Sequence, residues 1–230
     1  MVEDADSTEA WVGRLRTEQE RALAELFSKH RDRLWQIASF RIDRRLAGRL
    51  DVDDILQEAY LSAAQRIDHY LANPKVSPFV WLRMIVGQTM VDLHRRHLGA
   101  GKRDVKREVS LRAGFSPEST SMSLAAHMLE CLTTPSQLVA REELERRLEA
   151  TIAAMDHTDR EVLALRHFEE LSNSEVAEVL NISQAAASVR YVRALAKLKK
   201  ILSGLPEWNE QEEAEGSEGD SSGSTRLGSR

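Results

Sequence analysis

Ser174-Glu175-Val176-Ala177-Glu178-Val179-Leu180-Asn181-Ile182-Ser183-Gln184-Ala185-Ala186-Ala187-Ser188-Val189-Arg190 has the spacing of a short helix, a tight turn and a second helix. Ser172-Asn173-Ser174-Glu175 is a capping-box pattern at its start. Asn181 ends the first helix and Ser183 caps the next. Ala177 is small enough to let the two helices approach, and Val176, Leu180, Ile182 and Val189 can form their shared core. The second helix, read over 184–202, opens with small side chains and then turns basic at Arg190, Arg193, Lys197, Lys199 and Lys200. No acid falls between 184 and 206. Small residues at such a helix start let it approach base edges, and arginines further along can bind phosphate or read guanine. A helical hairpin with a solvated basic face would share some of this. Caps, turn and charge asymmetry together favour DNA.

The same helical grammar extends outward. Thr158-Asp159-Arg160-Glu161 matches another capping box and opens a helix over 159–169. Thr134-Pro135 starts a long helix that ends near Met155. At the other end, a helix over 17–40 carries Leu23, Leu26, Phe27, Leu34, Ile37, Ala38 and Phe40 at spacings near three and four. Asp51 caps a helix over 52–71, whose apolar stripe is Ile55, Leu56, Ala59, Tyr60, Ala63 and Ile67. Asp53, Asp54 and Glu58 stand near its start, where the helix dipole favours acids. Ser77-Pro78 begins a third helix that runs to Leu98, with a stripe of Leu82, Ile85, Val86, Thr89 and Leu93. Gln88, Asp92, Arg95 and Arg96 lie on another face. A polar, basic face beside the aromatic Trp81 could stack bases and hold phosphates of single-stranded DNA, although Trp81 by itself reads more readily as core. No strand pattern appears. The expected fold is all-α, with helical domains over 17–98 and 135–204. A flexible linker over 99–134, carrying a short helix near 123–131, joins them, and a disordered acidic tail over 205–230 follows.

The chain has 230 residues and a formal charge of −5. Residues 207–230 hold seven acids and two bases, which is the whole of that charge, so the remainder is neutral. A Gly/Ser/Glu-rich tail cannot bury enough surface to offset its ordering entropy. It reads as an inert solubilising segment or, more sharply, as an acidic mimic that competes for basic surfaces. The net charge therefore does not exclude nucleic acid. A single cysteine, Cys131, excludes a disulfide framework and a Cys-rich zinc module. His127 and Cys131, four apart, lack further ligands nearby, and His94 and His97 sit beside arginines. Gly99-Ala100-Gly101-Lys102 lacks the spacing of a phosphate loop. Neither a Ser/His/Asp arrangement nor a catalytic carboxylate pair suggests itself, so the expectation is no enzyme, no metal and no cofactor. No apolar run nears the ~18 residues of a membrane span. The N-terminus is acidic where a signal peptide would be basic, so a cytoplasmic protein is expected.

Two blocks in order, 21–98 and 145–203, resemble the bacterial sigma factors of RNA polymerase, in the extracytoplasmic-function (ECF) group of the sigma-70 family. Asp51-Val52-Asp53-Asp54-Ile55-Leu56-Gln57-Glu58-Ala59-Tyr60-Leu61 is similar to the segment that docks the polymerase clamp helices. Phe79-x-Trp81-Leu82 with Asp92-x-x-Arg95-Arg96 is similar to the promoter-melting helix. Leu148, Arg160-Glu161-Val162-Leu163-x-Leu165-Arg166 and the helix-turn-helix make up the second block. The resemblance implies an alternative sigma factor that binds core RNA polymerase through the clamp helices of β′ and the β flap, recognises two promoter elements and promotes melting. It implies polymerase contacts at Asp51, Asp54, Gln57, Glu58 and Leu61. Minus-ten contacts would lie at Asn73, Lys75, Trp81, Gln88, Asp92, Arg95 and Arg96. Minus-thirty-five contacts would lie at Gln184, Ala185, Ser188, Arg190, Arg193 and Lys197. Gln88 stands where asparagine is usual, and Ser188 where a basic residue is common. An anti-sigma factor or a kinase acting on the Ser/Thr-rich linker are candidate regulators. The residues alone leave two rivals: a free-standing helix-turn-helix regulator and a helical adaptor that does not bind DNA.

Overall fold

The computed structural model of the chain describes residues 3–42, 51–98, 117–132 and 138–203. Every regular element among them is helical: α1 Glu3–Thr17, α2 Gln19–Arg41, α3 Val52–Ala72, α4 Pro78–Leu98, α5 Pro117–Leu132, α6 Leu138–Ala153, α7 His157–Leu163, a π-helical turn Ala164–Phe168, α8 Asn173–Leu180 and α9 Gln184–Leu202. Helices α2, α3 and α4 pack together with α1 against them, and α7, α8 and α9 form the second group. The acidic tail lies outside the described residues.

The apolar stripes read from periodicity form the first core. Leu23, Leu26, Leu34 and Ile37 of α2 meet Ile55, Ala59, Ala63 and Ile67 of α3 and Leu82, Ile85, Val86 and Leu93 of α4 in one buried cluster. Helix α1 precedes the expected start at Thr17 and belongs to the same packing. Its Leu15 is fully buried and Trp11 packs against the cluster. With so few apolar anchors, α1 gains its burial from α2 rather than from a stripe of its own.

Capping decides several boundaries. Asp51 accepts from the Asp53 N–H at 3.0 Å and starts α3 as expected. Ser172 and Glu175 make the full reciprocal capping box of α8. Asn181 closes α8 in the left-handed conformation at φ 53°, which asparagine tolerates. Ser183 Oγ accepts from the Ala186 N–H at 3.2 Å. The second predicted capping box is not formed. Asp156, not Thr158, caps α7, accepting from the Thr158 N–H at 2.9 Å. Glu161 is drawn away from the helix start into a buried ion cluster. The predicted helix over 159–169 is α7 followed by the π turn, where the Glu169 N–H reaches Ala164 O. Over eight residues an α-helix turns about 80° past its starting face. The wider π turn rotates less per residue and brings Glu169 back toward the side of Glu161.

The segment expected to be a flexible linker contains α5, longer than the predicted short helix and well packed. Leu124, Ala125 and Leu129 join Phe40 of α2, Leu148 and Ile152 of α6 and Ala164 in a second core. Residues 99–116 and 133–137 lie outside the described residues. Removing the α8 cap by Ser172→Ala should destabilise the second domain by about 1 kcal/mol. Thermal unfolding of the full-length variant, compared with the native chain, measures this.

Candidate nucleic-acid interface

Three surfaces carry the predicted functional residues. The first is the outer face of α3. Asp54, Gln57, Glu58 and Leu61 recur at i, i+3, i+4 and i+7, so they share one side of the helix. Asp51, Asp54 and Gln57 are exposed, and Leu61 is 60% exposed despite being apolar. Glu58 is ion-paired to Arg96, which ties this face to the end of α4.

The second surface is the loop between α3 and α4 together with the start of α4. Asn73 ends α3, donating its N–H to Tyr70 O at 3.2 Å, and both Asn73 and Lys75 are exposed. Tyr70 sets the loop. Its hydroxyl donates to Val76 O at 2.9 Å while its ring stacks on Trp81, with centroids 4.5 Å apart and planes at 15°. Burial, with the Glu178 carboxylate nearby, pushes the Tyr70 hydroxyl well above the usual phenol range, so it stays a neutral donor. Trp81 is mostly buried, and its remaining edge lines a cleft beside the loop. Farther along α4, the Gln88 amide donates to Asp92 at 3.1 Å, and Arg96 is exposed at the helix end. Arg95 lies on α4, but its side chain is outside the described residues.

The third surface is α9. Gln184, Ala185 and Arg193 are exposed, and Arg190 is half-buried. Two of the predicted contacts are engaged within the chain. Ser188 Oγ accepts from Asn173 Nδ2 at 2.7 Å, joining α8 to α9, and Lys197 is ion-paired to Asp159 of α7.

The second and third surfaces face each other. A cleft of about 1050 Å³ is lined by His69, Asn73, Lys75 and Trp81 on one side and by Glu178, Ile182 and Gln184 on the other. The Ser77 N–H and hydroxyl both donate to Glu178 Oε2, at 2.7 and 2.8 Å.

Comparison with known proteins identifies the chain. Residues 26–98 match the family described as Sigma-70 region 2, and residues 151–200 match Sigma-70, region 4. The RNA polymerase sigma factor CnrH of Cupriavidus metallidurans is 30% identical over 180 residues, covering 77% of this chain and 85% of CnrH. The protein is an ECF sigma factor. The ECF RNA polymerase sigma factor SigW of Bacillus subtilis is 26% identical over 172 residues, covering 75% of this chain and 84% of SigW. A solved structure of CnrH in complex with the cytosolic domain of CnrY aligns at a TM-score of 0.47 and 26% identity, covering 86% of this chain and 99% of that one. As a sigma factor the chain is a transcription regulator that acts in initiation.

Within this sigma factor, sequence reasoning missed the residues that join the two domains. Arg41 of α2 and Arg83 of α4 are fully buried beside Glu161 of α7 and Glu169 after the π turn. Arg41 donates Nε to Glu169 Oε1 at 2.7 Å and Nη2 to Glu161 Oε1 at 2.7 Å. Arg83 grips Glu169 with two bonds, Nε to Oε2 at 2.6 Å and Nη2 to Oε1 at 3.0 Å. Thr120 of α5 accepts from Arg41 and donates to Glu161, at 2.6 and 3.0 Å. Burial alone would raise the Glu169 carboxyl. The facing Arg83 and Arg41 guanidiniums outweigh it and hold the group below the usual carboxylate range. The one sequence signal was Arg83 itself, a charge set among Leu82, Met84 and Ile85 in an apolar helix.

His127 faces Phe40 and Phe168, with Nδ1 3.0 Å from Ser123 O, and the Cys131 side chain lies outside the described residues. Among the described residues no group of three or more His, Cys, Asp or Glu is placed to hold a metal ion, and no helix is long and apolar enough to cross a membrane.

His30 of α2 supplies a pH dependence. It packs on Phe79, and burial first, then the charges of Arg33 and Lys29, pushes it down to about 4, with Glu175 opposing. Unfolding releases it to its ordinary value near 6.5, so between these limits the unfolded chain binds more protons than the folded one. Stability should therefore rise with pH from about 4 to about 6.5, with a slope of up to one proton, reduced by the half-exposure of the ring. Denaturant titrations of His30→Gln across that range should show a shallower slope than the native chain.

Proposed function

We propose that this ECF sigma factor docks core RNA polymerase with the outer face of α3, reads the minus-ten element with the α3–α4 loop and α4, and reads the minus-thirty-five element with α9. The observation that carries this reading is the α3 face. Acidic and amide groups surround an apolar residue, Leu61, that the chain itself leaves uncovered, which suits a basic helical partner with an apolar seam. The clamp helices of β′ are the proposed partner for this face, and the β flap for the second domain. Asn73, Lys75 and the Trp81 edge stand where a base swung out of the duplex could be held, with Gln88, Asp92, Arg95 and Arg96 along the separated strand. In this reading Gln184, Ala185 and Ser188 in the first turns of α9, with Arg190 and Arg193 further along it, meet base edges and phosphates of a major groove, and Lys197 is a phosphate contact once released from Asp159. The chain performs no covalent step in this reading. Binding energy is directed into strand separation, and the polymerase makes the bond, in the compartment where polymerase and promoter lie. A kinase regulator would find Thr120 and Ser121 buried and bonded to Arg41 and Arg160. An anti-sigma factor would compete for α3 or α9.

Run-off transcription with purified core polymerase, with and without the chain, tests the whole reading on candidate promoters. A promoter-specific transcript that depends on the chain is expected. Its absence from every cognate candidate would count against the reading. Arg193→Ala should weaken minus-thirty-five binding by about 1–3 kcal/mol and leave polymerase affinity unchanged. Charge reversal at Asp54 and Glu58 together should do the opposite. Fluorescence anisotropy with labelled promoter DNA and with core polymerase separates the two losses.

A further inference from the structure

We propose that the Arg41–Arg83–Glu161–Glu169 cluster is an intramolecular lock that holds this sigma factor closed and unable to engage a promoter, without a second protein. The inference rests on the two-element reading above. Minus-ten and minus-thirty-five elements lie about 25 base pairs apart, or roughly 85 Å along a straight duplex at ~3.4 Å per step. Here the domains that carry the two readers touch: the Ser77 N–H, at the end of the α3–α4 loop, is 2.7 Å from the carboxylate of Glu178 in α8. A rigid closed chain cannot reach both elements. Opening must precede or accompany promoter engagement.

The closed state is built as a joint, with charges at its centre. The four charged groups come from both domains and sum to zero, and Thr120 of α5 is wedged between Arg41 and Glu161. At the rim, Arg33 of α2 makes a two-pronged pair with Glu175 of α8, at 3.1 and 3.0 Å, and Gln36 donates to Phe168 O at 3.3 Å. Apolar contact is continuous across the joint, because Leu165, Leu171, Val176 and Val179 of the second domain belong to the same buried cluster as the α2–α4 core. Buried ion pairs suit a joint that must release. When the halves part, water solvates all four charges, which an apolar patch of equal area could not exploit. The same logic gives the lock a specific weakness. With one carboxylate neutralised, a guanidinium is left underpaired in the closed state only, because the open state hydrates it. Such a change should favour opening, working against the apolar contact that the two halves also share.

Two full-length variants test this. Glu169→Gln should enlarge the radius of gyration in small-angle scattering. It should also raise the affinity of the free chain for fork-junction promoter DNA by about tenfold or more, because the competent fraction grows. Circular dichroism checks that its helices persist. Unchanged scattering and unchanged affinity would overturn the lock. Independently of how Glu169→Gln folds, Ser77→Cys with Glu178→Cys in a Cys131→Ser background can be oxidised to tie the readers together. The oxidised chain should give no run-off transcript with core polymerase and regain it on reduction. Full transcription by the oxidised chain would refute the proposal. If the native chain also yields no transcript, the promoter reading fails, and the scattering comparison still decides whether the cluster holds the domains closed.

Discussion

Four ionised side chains, Arg41, Arg83, Glu161 and Glu169, sit where water cannot reach them, and the arrangement of the two halves depends on their being complete. Isolated charges of this kind would be prohibitively unfavourable in a protein interior. Two cations and two anions with most donors bonded are tolerable, but only in one geometry. Three local features serve it. The π turn aims Glu169. The displaced cap at Asp156 frees Glu161. Helix α5 supplies Thr120 as the fifth bonding group. Each looks like a local irregularity and becomes intelligible from the cluster.

That constraint places the surfaces expected to contact other molecules. The α3 face is left outside, exposing Leu61 and its acidic neighbours, so docking to polymerase is compatible with the closed arrangement. The loop set by Tyr70 and the start of α9 are turned toward each other across one cleft. A sequence of events follows from this division. In the proposed reading the α3 face is available to polymerase first, and the faces proposed to read DNA become fully usable when the halves separate. Neutrality of the body of the chain fits the same order, since a subunit delivered to DNA by a larger enzyme needs no strong phosphate-attracting field of its own.

Much of the fold was legible because helices announce themselves locally. Stripes at 3.6-residue period located α2, α3 and α4, and Asp51, Ser172, Asn181 and Ser183 marked ends through their own backbone bonds. What escaped was decided by distant partners. Leu15 is core because the α2–α4 bundle lies against it, and the Thr158–Glu161 pattern lost Glu161 to a guanidinium 120 positions away. The candidate site divides the same way. The exposed face of α3 could be read from spacing. That Ser188 is taken by Asn173 and Lys197 by Asp159 could not, because those pairings exist only once α7, α8 and α9 have packed.

The most direct measurement is the distance between spin labels on the outer surfaces of α2 and α9 in the full chain, taken free in solution and again on core polymerase at a promoter. One narrow, short distribution is expected for the free chain, with a shift on the order of tens of ångströms once both elements are engaged, set by the ~3.4 Å rise of the intervening duplex. A free chain already showing a broad, long distribution would contradict it, as would a short distance that persists in a transcribing complex.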